Sequence, residues 1–315
     1  MRDERHGGAA VDVTCVGETM VAFASAEDPR WFHAVAAGAE SNVAAGLAGL
    51  GHRVRWVSRV GDDPLGQLVE DSIAATGVEV AVERDPGRPT GVMTRHLTDT
   101  FPITTYHRVG SAASALSTGD LKRLGAASWV HLTGITPALS ASASDLVDAA
   151  LARREGRRIS FDVNLRPSLW SDRGVAAARL VDIARRSDLV FIGADEATAL
   201  LGADDAAAVA ASLLRRDDQM VVLKRGAVDA TAITRDGRTT VPALVASVVD
   251  ETGAGDAFAA GYLAGTLRHW PVDARLRLGH LMGSRVVAVV DHMAPPLEGS
   301  ERALLSPEAL ERLWP

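Results

Sequence analysis

A short segment, Asp250–Asp256, combines two glycines with a carboxylate at either end. It follows the apolar, β-branched stretch Val245–Val249 and precedes Ala257–Ala264, whose composition is helical, so we expect a strand to end and a helix to begin at Gly253–Asp256. The first N–H groups of a helix have no intrahelical partners, and the helix dipole attracts negative charge. Glycine also permits positive φ and lets a ligand approach the backbone closely. The segment is therefore predicted to be a turn that binds phosphate.

Asp256, the last residue of this segment, has two interpretations. An aspartate at the start of a helix often accepts hydrogen bonds from free backbone N–H groups as a cap. The second interpretation is a part in the chemistry of the site, since a carboxylate without such a part would be repelled by a bound anion. The segment alone leaves both interpretations open.

The bulk composition excludes several classes of protein. The 315 residues are 47% hydrophobic, which suffices for a sizeable core in one large α/β domain with an appendage. A net charge of −7 provides no broad basic surface, so nucleic acid is not an expected partner. Cys15 is the only cysteine, which excludes an intrachain disulfide framework and a cysteine-based zinc cluster, and its apolar neighbours predict a buried strand position.

The chain carries no sequence signal for a membrane or for export. Residues 1–8 are charged and lack the apolar core of a signal peptide. No apolar run approaches the length that a bilayer span requires. We therefore expect a cytoplasmic protein without a membrane partner.

Short apolar segments alternate with helical segments, and from about residue 127 the alternation becomes regular. Successive strand–helix units predict a mainly parallel sheet with helices on both faces. The predicted strands are Val13–Gly17, Met20–Ala24, Trp31–Ala36, Val54–Ser58, Gly91–Leu97, Ile103–Arg108, Trp129–Leu132, Ile159–Asp162, Leu189–Ile192 and Met220–Leu223, and the predicted helices are Asn42–Leu50, Leu65–Thr76, Ala143–Arg154, Val175–Arg185 and Ala206–Arg215.

Two pieces, near residues 20–36 and 90–108, do not fit such a sheet. The second piece alternates polar and apolar residues around a turn at Thr98-Asp99-Thr100, as an antiparallel pair does. Together the two pieces predict a small second sheet, which would act as a lid. Ligands of parallel sheets bind beyond the carboxyl ends of the strands. The residues at those ends are Gly17-Glu18, Asp162-Val163-Asn164, Glu196, Lys224-Arg225-Gly226 and Asp250–Asp256.

The segment Asp250–Asp256 resembles the signature of the ribokinase-like (PfkB) carbohydrate kinases, and two further stretches match that family in the expected order. These are Ala37–Ala44, which continues through Leu50-Gly51, and Val60–Gly66. With Glu196 and Lys224–Gly226 the resemblance extends over about residues 13–290. It implies a three-layer α/β/α fold in a single unit, 1–315, with a mainly parallel central sheet and a β-sheet lid formed by about 18–37 and 88–109.

Within the family, three local stretches are similar to the 2-keto-3-deoxygluconate kinases. They are Gly17–Val21, the segment Tyr106-His107-Arg108 leading into Gly110–Leu116, and Phe161–Trp170, the last of which fructokinases share. Arginine offers a rigid fork of donors that matches a carboxylate, which favours an acidic sugar. Arg108 from the lid and Arg166 from the core could converge on the C1 carboxylate. For each arginine the alternative is a surface or structural ion pair.

The resemblance also implies roles for individual residues on the sugar side. Asp256 would be the general base that takes the proton of the sugar hydroxyl. The amides of Gly253, Ala254 and Gly255 would form an anion hole for the transferred phosphoryl group. Gly38 and Asn42 would contact sugar hydroxyls, with Tyr106 above them. Ala37 replaces one glycine that is usual in the family at this motif.

On the nucleotide side, the resemblance implies binding of ATP and Mg²⁺, with a monovalent cation such as K⁺ near the turn in many relatives. Asn164, Lys224 and Gly226, together with Gly253 and Gly255, would approach the nucleotide, although a solvated strand end is the alternative for Lys224. Glu196 would influence magnesium, either directly or through water. Gly193 stands where the family has an asparagine, and Glu251 where it commonly has a threonine.

The leading hypothesis is an ATP-dependent 2-keto-3-deoxygluconate kinase that forms the 6-phosphate and ADP. Alternatives are a fructokinase, a 2-deoxy-5-ketogluconate kinase or another sugar kinase of this fold, and a sugar-binding regulator without catalysis. A dinucleotide oxidoreductase is disfavoured, since Gly17-Glu18-Thr19 after the first strand lacks the required glycine fingerprint. Apolar lid residues Val92, Met93 and Ile103 would be an association hazard if exposed at a sheet edge, so we expect a homodimer through the lids.

Overall fold

The computed structural model describes residues 10–25, 30–96, 103–288 and 297–314. The strands are β1 Val11–Val16, β2 Met20–Ser25, β3 Phe32–Ala37, β4 Val54–Gly61, β5 Glu79–Asp85, β6 Val92–His96, β7 Ile103–His107, β8 Ala127–Thr133, β9 Arg158–Asp162, β10 Leu189–Gly193, β11 Met220–Lys224, β12 Asp229–Ile233 and β13 Arg238–Pro242. The α-helices are α1 Ala39–Gly49, α2 Pro64–Ala75, α3 Thr136–Leu139, α4 Ala141–Ala152, α5 Arg173–Arg186, α6 Ala194–Leu201, α7 Ala206–Leu213, α8 Ala254–Leu267, α9 Val272–Val287 and α10 Pro307–Glu311. The predicted turn Thr98-Asp99-Thr100 lies outside the described residues.

A nine-stranded sheet within the described residues forms the middle layer, in the order β13-β12-β11-β10-β9-β8-β1-β4-β5. All neighbours from β11 to β5 are parallel, whereas β12 and β13 are antiparallel. One buried core lies on each face, with α1, α8 and α9 on one side and α4, α5 and α7 on the other. Cys15 is fully buried in β1. The predicted parallel sheet between two helical layers is confirmed.

The lid is a separate four-stranded sheet in the order β3-β2-β6-β7, again within the described residues. The strands β2 and β6 are parallel, and the two outer pairs are antiparallel. The second sheet predicted from the sequence is therefore present. Of the apolar residues expected at its edges, Ile103 is 60% exposed, but Met93 is buried and turned towards a cavity under the lid.

The prediction of a strand at Val245–Val249 is wrong. These residues form no strand, and the side chain of Val245 is almost fully exposed. A strand needs a hydrogen-bonding partner along a sheet edge, whereas the N–H groups of Val249 and Asp250 both donate to the carbonyl of Val287 at the end of α9. The apolar side chains here instead line a cavity.

Seven of these strands and α-helices were missing from the sequence prediction: β5, β12, β13, α3, α6, α9 and α10. Strand β5 is a partly exposed edge strand whose charged residues conceal its apolar alternation. Strands β12 and β13 form an antiparallel pair joined at Asp236-Gly237, and an Asp-Gly pair between β-branched stretches is a hairpin signal that could have revealed them. Among the described residues no helix is both long and apolar enough to span a membrane.

Helix α8, which begins inside the glycine-rich segment, packs closely against α1. A side chain at Gly46 would place its Cβ 2.7 Å from the Cβ of Ala260. Asn42 lies one helical turn before Gly46 in α1, and Asp256 lies one turn before Ala260 in α8. The close approach at Gly46 therefore sets the distance between Asn42 and Asp256.

Replacing Gly46 by alanine is expected to destabilise the protein by about 1–3 kcal/mol and to lower kcat, because the added methyl group forces α1 away from α8. Gly49, in the last turn of α1, has no atom within 4 Å of its potential Cβ, so Gly49→Ala is the matched control with the same change in helix propensity. Urea unfolding and steady-state kinetics of both variants measure the difference. Equal stability and activity of the two would contradict this account of α1–α8 packing.

Candidate active site

Asp256 lies in the first turn of α8 and is buried, but it does not cap the helix. Its Oδ2 accepts a hydrogen bond of 2.8 Å from Nδ2 of Asn42, and its Oδ1 accepts one of 3.3 Å from Nδ2 of Asn164. The cap residue of α8 is Gly253, with φ 82°, and it forms no side-chain cap hydrogen bond. The carboxylate therefore faces the side chains of a site, which excludes the interpretation as a cap.

The environment of Asp256 raises the pKa of its carboxyl to about 6. Burial is the main cause, and the negative charge of Asp162 adds to it, while the hydrogen bond from Asn42 and the charges of Arg166 and Lys224 act in the opposite direction. A carboxyl with a pKa near 6 is a stronger base than an ordinary aspartate and is still mostly ionised at neutral pH.

The turn before α8 separates two cavities. A cavity of about 90 Å³ lies between lid and core and is lined by Thr252, Gly253 and Asp256. A larger cavity of about 400 Å³ lies on the other side and is lined by Glu251, Ala254 and Gly255. An acceptor in the first cavity and a nucleotide in the second would therefore meet at this turn.

The smaller cavity gathers all five residues predicted to bind the sugar. Besides Asp256 and Gly253, its walls include Gly38, Asn42, Tyr106, Arg108 and Arg166. Gly38 must be a glycine, because a Cβ there would lie 2.4 Å from the carbonyl oxygen of Glu18. Residues separated by more than 200 positions in the chain thus meet in one small polar space.

The two arginines of this cavity are held differently. Arg108 is buried, forms an ion pair with the buried Glu18, and lies with its guanidinium carbon 5.8 Å from the ring centroid of Tyr106. Glu18 also accepts a hydrogen bond of 2.5 Å from the hydroxyl of Ser111. Arg108 therefore makes the structural ion pair that was its alternative interpretation, although it still lines the cavity. Arg166 is exposed, and its Nη1 donates to the adjacent carbonyl of Leu165 at 3.5 Å.

Lys224, at the end of β11, lines the larger cavity and is not a solvated strand end. Its Nζ donates to Oδ2 of Asp162 at 2.8 Å. Burial lowers the pKa of Lys224, but Asp162 and Glu196 outweigh that effect and raise it overall, so the amine stays charged. Gly226 lines the same cavity, and a Cβ at Gly255 would lie 3.4 Å from Nζ of Lys224. This cavity therefore offers a positive charge beside the glycine-rich turn.

Asn164 and Glu196 line neither cavity, but each interacts with a residue that does, Asn164 with Asp256 and Glu196 with Lys224. Asn164 adopts positive φ, 39°. Its side-chain amide donates a hydrogen bond to the carboxylate of Asp256 in this conformation. Glu196 accepts backbone hydrogen bonds from Leu165 at 2.6 Å and Gly193 at 2.7 Å, and burial raises the pKa of its carboxyl. The N–H of Ala254 donates to the carbonyl of Glu251 at 3.2 Å.

The oxygen donors here fit magnesium through water. Oδ1 of Asp162 is buried and has no hydrogen-bond partner among the described residues, and the negative charge of Asp162 contributes to the raised pKa of Glu196. Across the described ranges no three His, Cys, Asp or Glu side chains are grouped as a metal site. Mg²⁺ usually retains several waters and takes phosphate oxygens, so two carboxylates near the turn are an adequate protein contribution.

Sequence reasoning missed Glu40, a fully buried carboxyl inside the first motif. Its Oε1 accepts hydrogen bonds from the hydroxyls of Thr133 at 2.6 Å and Thr136 at 2.8 Å, while burial raises its pKa to about 7. Only its position two residues before Asn42 could have signalled a role. The hydrogen bonds hold the first turn of α1, from which Asn42 reaches Asp256.

The activity is expected to fall as the pH drops through about 6, because Asp256 must be ionised to accept a proton and its carboxyl titrates there. The dependence of kcat/KM on pH between about 4.5 and 8 measures this step. Glu40→Gln keeps the hydrogen bonds to both threonines and removes the second nearby titration, so it isolates the contribution of Asp256. A profile that stays flat down to pH 5 in this variant would contradict the assignment.

The fold, with one cavity on either side of a glycine-rich turn, suits a phosphotransferase that acts on a small polar acceptor. The model of the pfkB family carbohydrate kinases matches residues 10–297, and the chain belongs to this family. The predicted ribokinase-like fold is confirmed, and the protein is an ATP-dependent sugar kinase.

Similar proteins extend over most of the chain. The 2-dehydro-3-deoxygluconokinase of Bacillus subtilis (strain 168) is 34% identical over 287 residues, which cover 87% of this chain and 89% of the relative. The enzyme of the same name from Thermoproteus tenax is 34% identical over 298 residues, 90% and 86% of the two chains. A crystal structure of a PfkB protein from Polaromonas sp. JS666 has a TM-score of 0.82 and 33% identity, and covers 94% of this chain and 99% of its own.

Proposed function

We propose that the protein transfers the γ-phosphoryl group of ATP to the primary hydroxyl of 2-keto-3-deoxygluconate, also called 2-dehydro-3-deoxygluconate, forming the 6-phosphate and ADP. The observation that carries this choice is the cavity that Arg108 and Arg166 share with Asp256. Guanidinium groups suit a carboxylate better than a neutral sugar, and Arg166 offers one in this cavity, whereas Arg108 is already paired with Glu18. The two relatives at 34% identity bear the name of this activity.

In the proposed reaction Asp256 accepts the proton of the primary hydroxyl while that oxygen bonds to the γ-phosphorus and ADP departs. The hydrogen bonds from Asn42 and Asn164 hold the carboxylate in place. The amides of Gly253, Ala254 and Gly255 receive the charge on the phosphoryl group, for which the Ala254 amide must leave the carbonyl of Glu251.

Lys224 and Gly226 line the larger cavity, where the proposed nucleotide binds with Asn164 nearby. Mg²⁺, held through water by Glu196 and Asp162, would neutralise phosphate charge when bound.

A monovalent cation such as K⁺ near the turn belongs to the same proposal. Replacement of K⁺ by tetramethylammonium in the assay, with ADP release as the readout, tests it, and an unchanged rate argues against that ion.

A panel of sugars tests the proposed substrate. Release of ADP is measured with 2-keto-3-deoxygluconate, fructose, 2-deoxy-5-ketogluconate and ribose at equal concentrations, and the keto-deoxy acid should give the highest kcat/KM. The pairing of Arg108 with Glu18 already neutralises one cation, which favours fructose as the second candidate. Turnover of fructose without response to the acid would overturn our choice, and no ADP release with any of these four would indicate that another sugar is the substrate.

We also propose a cytoplasmic homodimer that associates through the lids. Trp31 is 69% exposed and Ile103, on the edge strand β7, is 60% exposed. Exposed apolar residues at a sheet edge favour pairing with a second copy. Sedimentation over a range of concentrations tests it, and a monomer throughout would refute the dimer.

A further inference from the structure

Arg95 in the lid and Asp250 at the start of the glycine-rich turn form a buried ion pair across 155 positions of sequence. Nη2 of Arg95 lies 2.7 Å from Oδ1 of Asp250, and Nη1 contacts Oδ2, so the pairing is bidentate. The side chains are only 5% and 9% exposed. A buried pair of this geometry fixes both partners far more strictly than a surface pair does.

Asp250 connects the lid to the residues that touch both cavities. Its Oδ1 also accepts the N–H of Thr252 at 2.9 Å, and its own N–H donates to the carbonyl of Val287 at the end of α9. The next residue, Glu251, lines the larger cavity, and Thr252 lines the smaller one. A shift of Asp250 would therefore move the beginning of the turn relative to both cavities.

Arg95 in turn connects this turn to the wall of the smaller cavity. It lies in β6, an inner strand of the lid between β2 and β7. Met93 shares its face of the strand, because side chains alternate along a strand, and Met93 lines the smaller cavity opposite its partner Tyr106. One strand thus touches the proposed sugar with Met93 and holds the phosphate turn with Arg95.

We propose that Arg95 is a positioning residue that couples the occupancy of the sugar cavity to the geometry of the phosphoryl-binding turn. A sugar bound under the lid restricts the position of β6 and, with it, the guanidinium of Arg95. Through the ion pair the guanidinium holds Asp250 in place, and Asp250 holds the turn against which the nucleotide binds. This inference rests on the sugar kinase activity and does not depend on which sugar is the substrate.

The test measures the coupling directly, as the Kd of a non-hydrolysable ATP analogue with and without a saturating concentration of the sugar that the wild-type protein phosphorylates best. In the wild type we expect the sugar to lower this Kd by about 5-fold or more, a usual size for coupling between sites. In Arg95→Met the coupling ratio, which is the Kd of the analogue without sugar divided by its Kd with sugar, should fall to below about 2. The kcat of this variant should fall about 10- to 100-fold. A wild-type ratio near one would overturn the proposal.

A matched control separates coupling from stability. Arg55 is equally buried and donates to Glu79 at 3.0 and 2.8 Å, but it lines neither cavity. Arg55→Met should lower the melting temperature and leave the coupling ratio and kcat as in the wild type. If Arg95→Met behaves in the same way, Arg95 is only structural.

Two further variants distinguish positioning from neutralisation of charge. Arg95→Lys keeps the charge but loses the bidentate fork, and it also serves if Arg95→Met does not fold. The double variant Arg95→Met/Asp250→Asn removes both charges. Both should remain impaired in coupling, and recovery of the wild-type ratio in either would overturn the positioning role.

Discussion

Replacing Asp256 by asparagine is expected to lower kcat by about 10²–10⁴-fold, which is the usual contribution of a positioned general base. Asparagine retains the shape of the side chain and can still accept a hydrogen bond from Asn42, but it cannot take the proton of the hydroxyl. Phosphoryl transfer that continues at the wild-type rate in Asp256→Asn would show that the base is another group.

The same variant should fold at least as stably as the wild type. The pKa of Asp256 in the folded protein, about 6, lies above the value of an unfolded aspartate, so the folded state binds the proton more tightly. Ionisation of Asp256 therefore destabilises the fold above pH 6, an effect that fades as the pH falls towards the unfolded pKa. Asparagine removes this cost, on the order of 1–3 kcal/mol at neutral pH.

The measurements are kcat, thermal unfolding at pH 5 and 7.5, and binding of sugar and nucleotide. Asp145→Asn, an exposed change of the same chemistry on α4, is the control and should alter none of them. Loss of activity together with a lower melting temperature at pH 7.5 would indicate that the carboxylate is structural instead.

Replacing Arg166 by methionine is expected to raise KM for 2-keto-3-deoxygluconate and to lower kcat/KM by about 10- to 100-fold, the worth of a charge-assisted hydrogen bond to a carboxylate. The turnover of fructose should change little, because fructose has no carboxylate that Arg166 could bind. Arg166 is a cleaner probe than Arg108, whose removal would leave the buried Glu18 without its cation.

Arg173→Met is the matched control, since Arg173 is an exposed arginine at the start of α5 that does not line the cavity. Kinetics with both sugars on both variants give the comparison. An equal loss for fructose and for the acid in Arg166→Met would contradict recognition of the carboxylate.

Local patterns in the sequence were sufficient for much of the architecture. The regular strand–helix alternation after residue 127 predicted the parallel sheet, since each unit buries its own apolar face against it. The segment Asp250–Asp256 likewise predicted the start of α8 at the glycine turn, because positive φ and helix initiation are properties of a few adjacent residues. Val245–Val249 was misread as a strand because β-branched residues also suit the wall of a cavity.

The sequence by itself determined the fold class, the glycine-rich turn and most of the residues around it, because these depend on short-range composition and on motifs in a fixed order. Only the tertiary structure decided which of those residues interact with one another. It pairs Asp256 with Asn42 across 214 positions, Asp250 with Arg95, and Arg108 with Glu18. It also excluded the helix cap for Asp256. The sequence alone could not predict these interactions, because burial and neighbouring charges are what raise a pKa or hold a side chain in place. Both depend on contacts between segments that are distant in the chain.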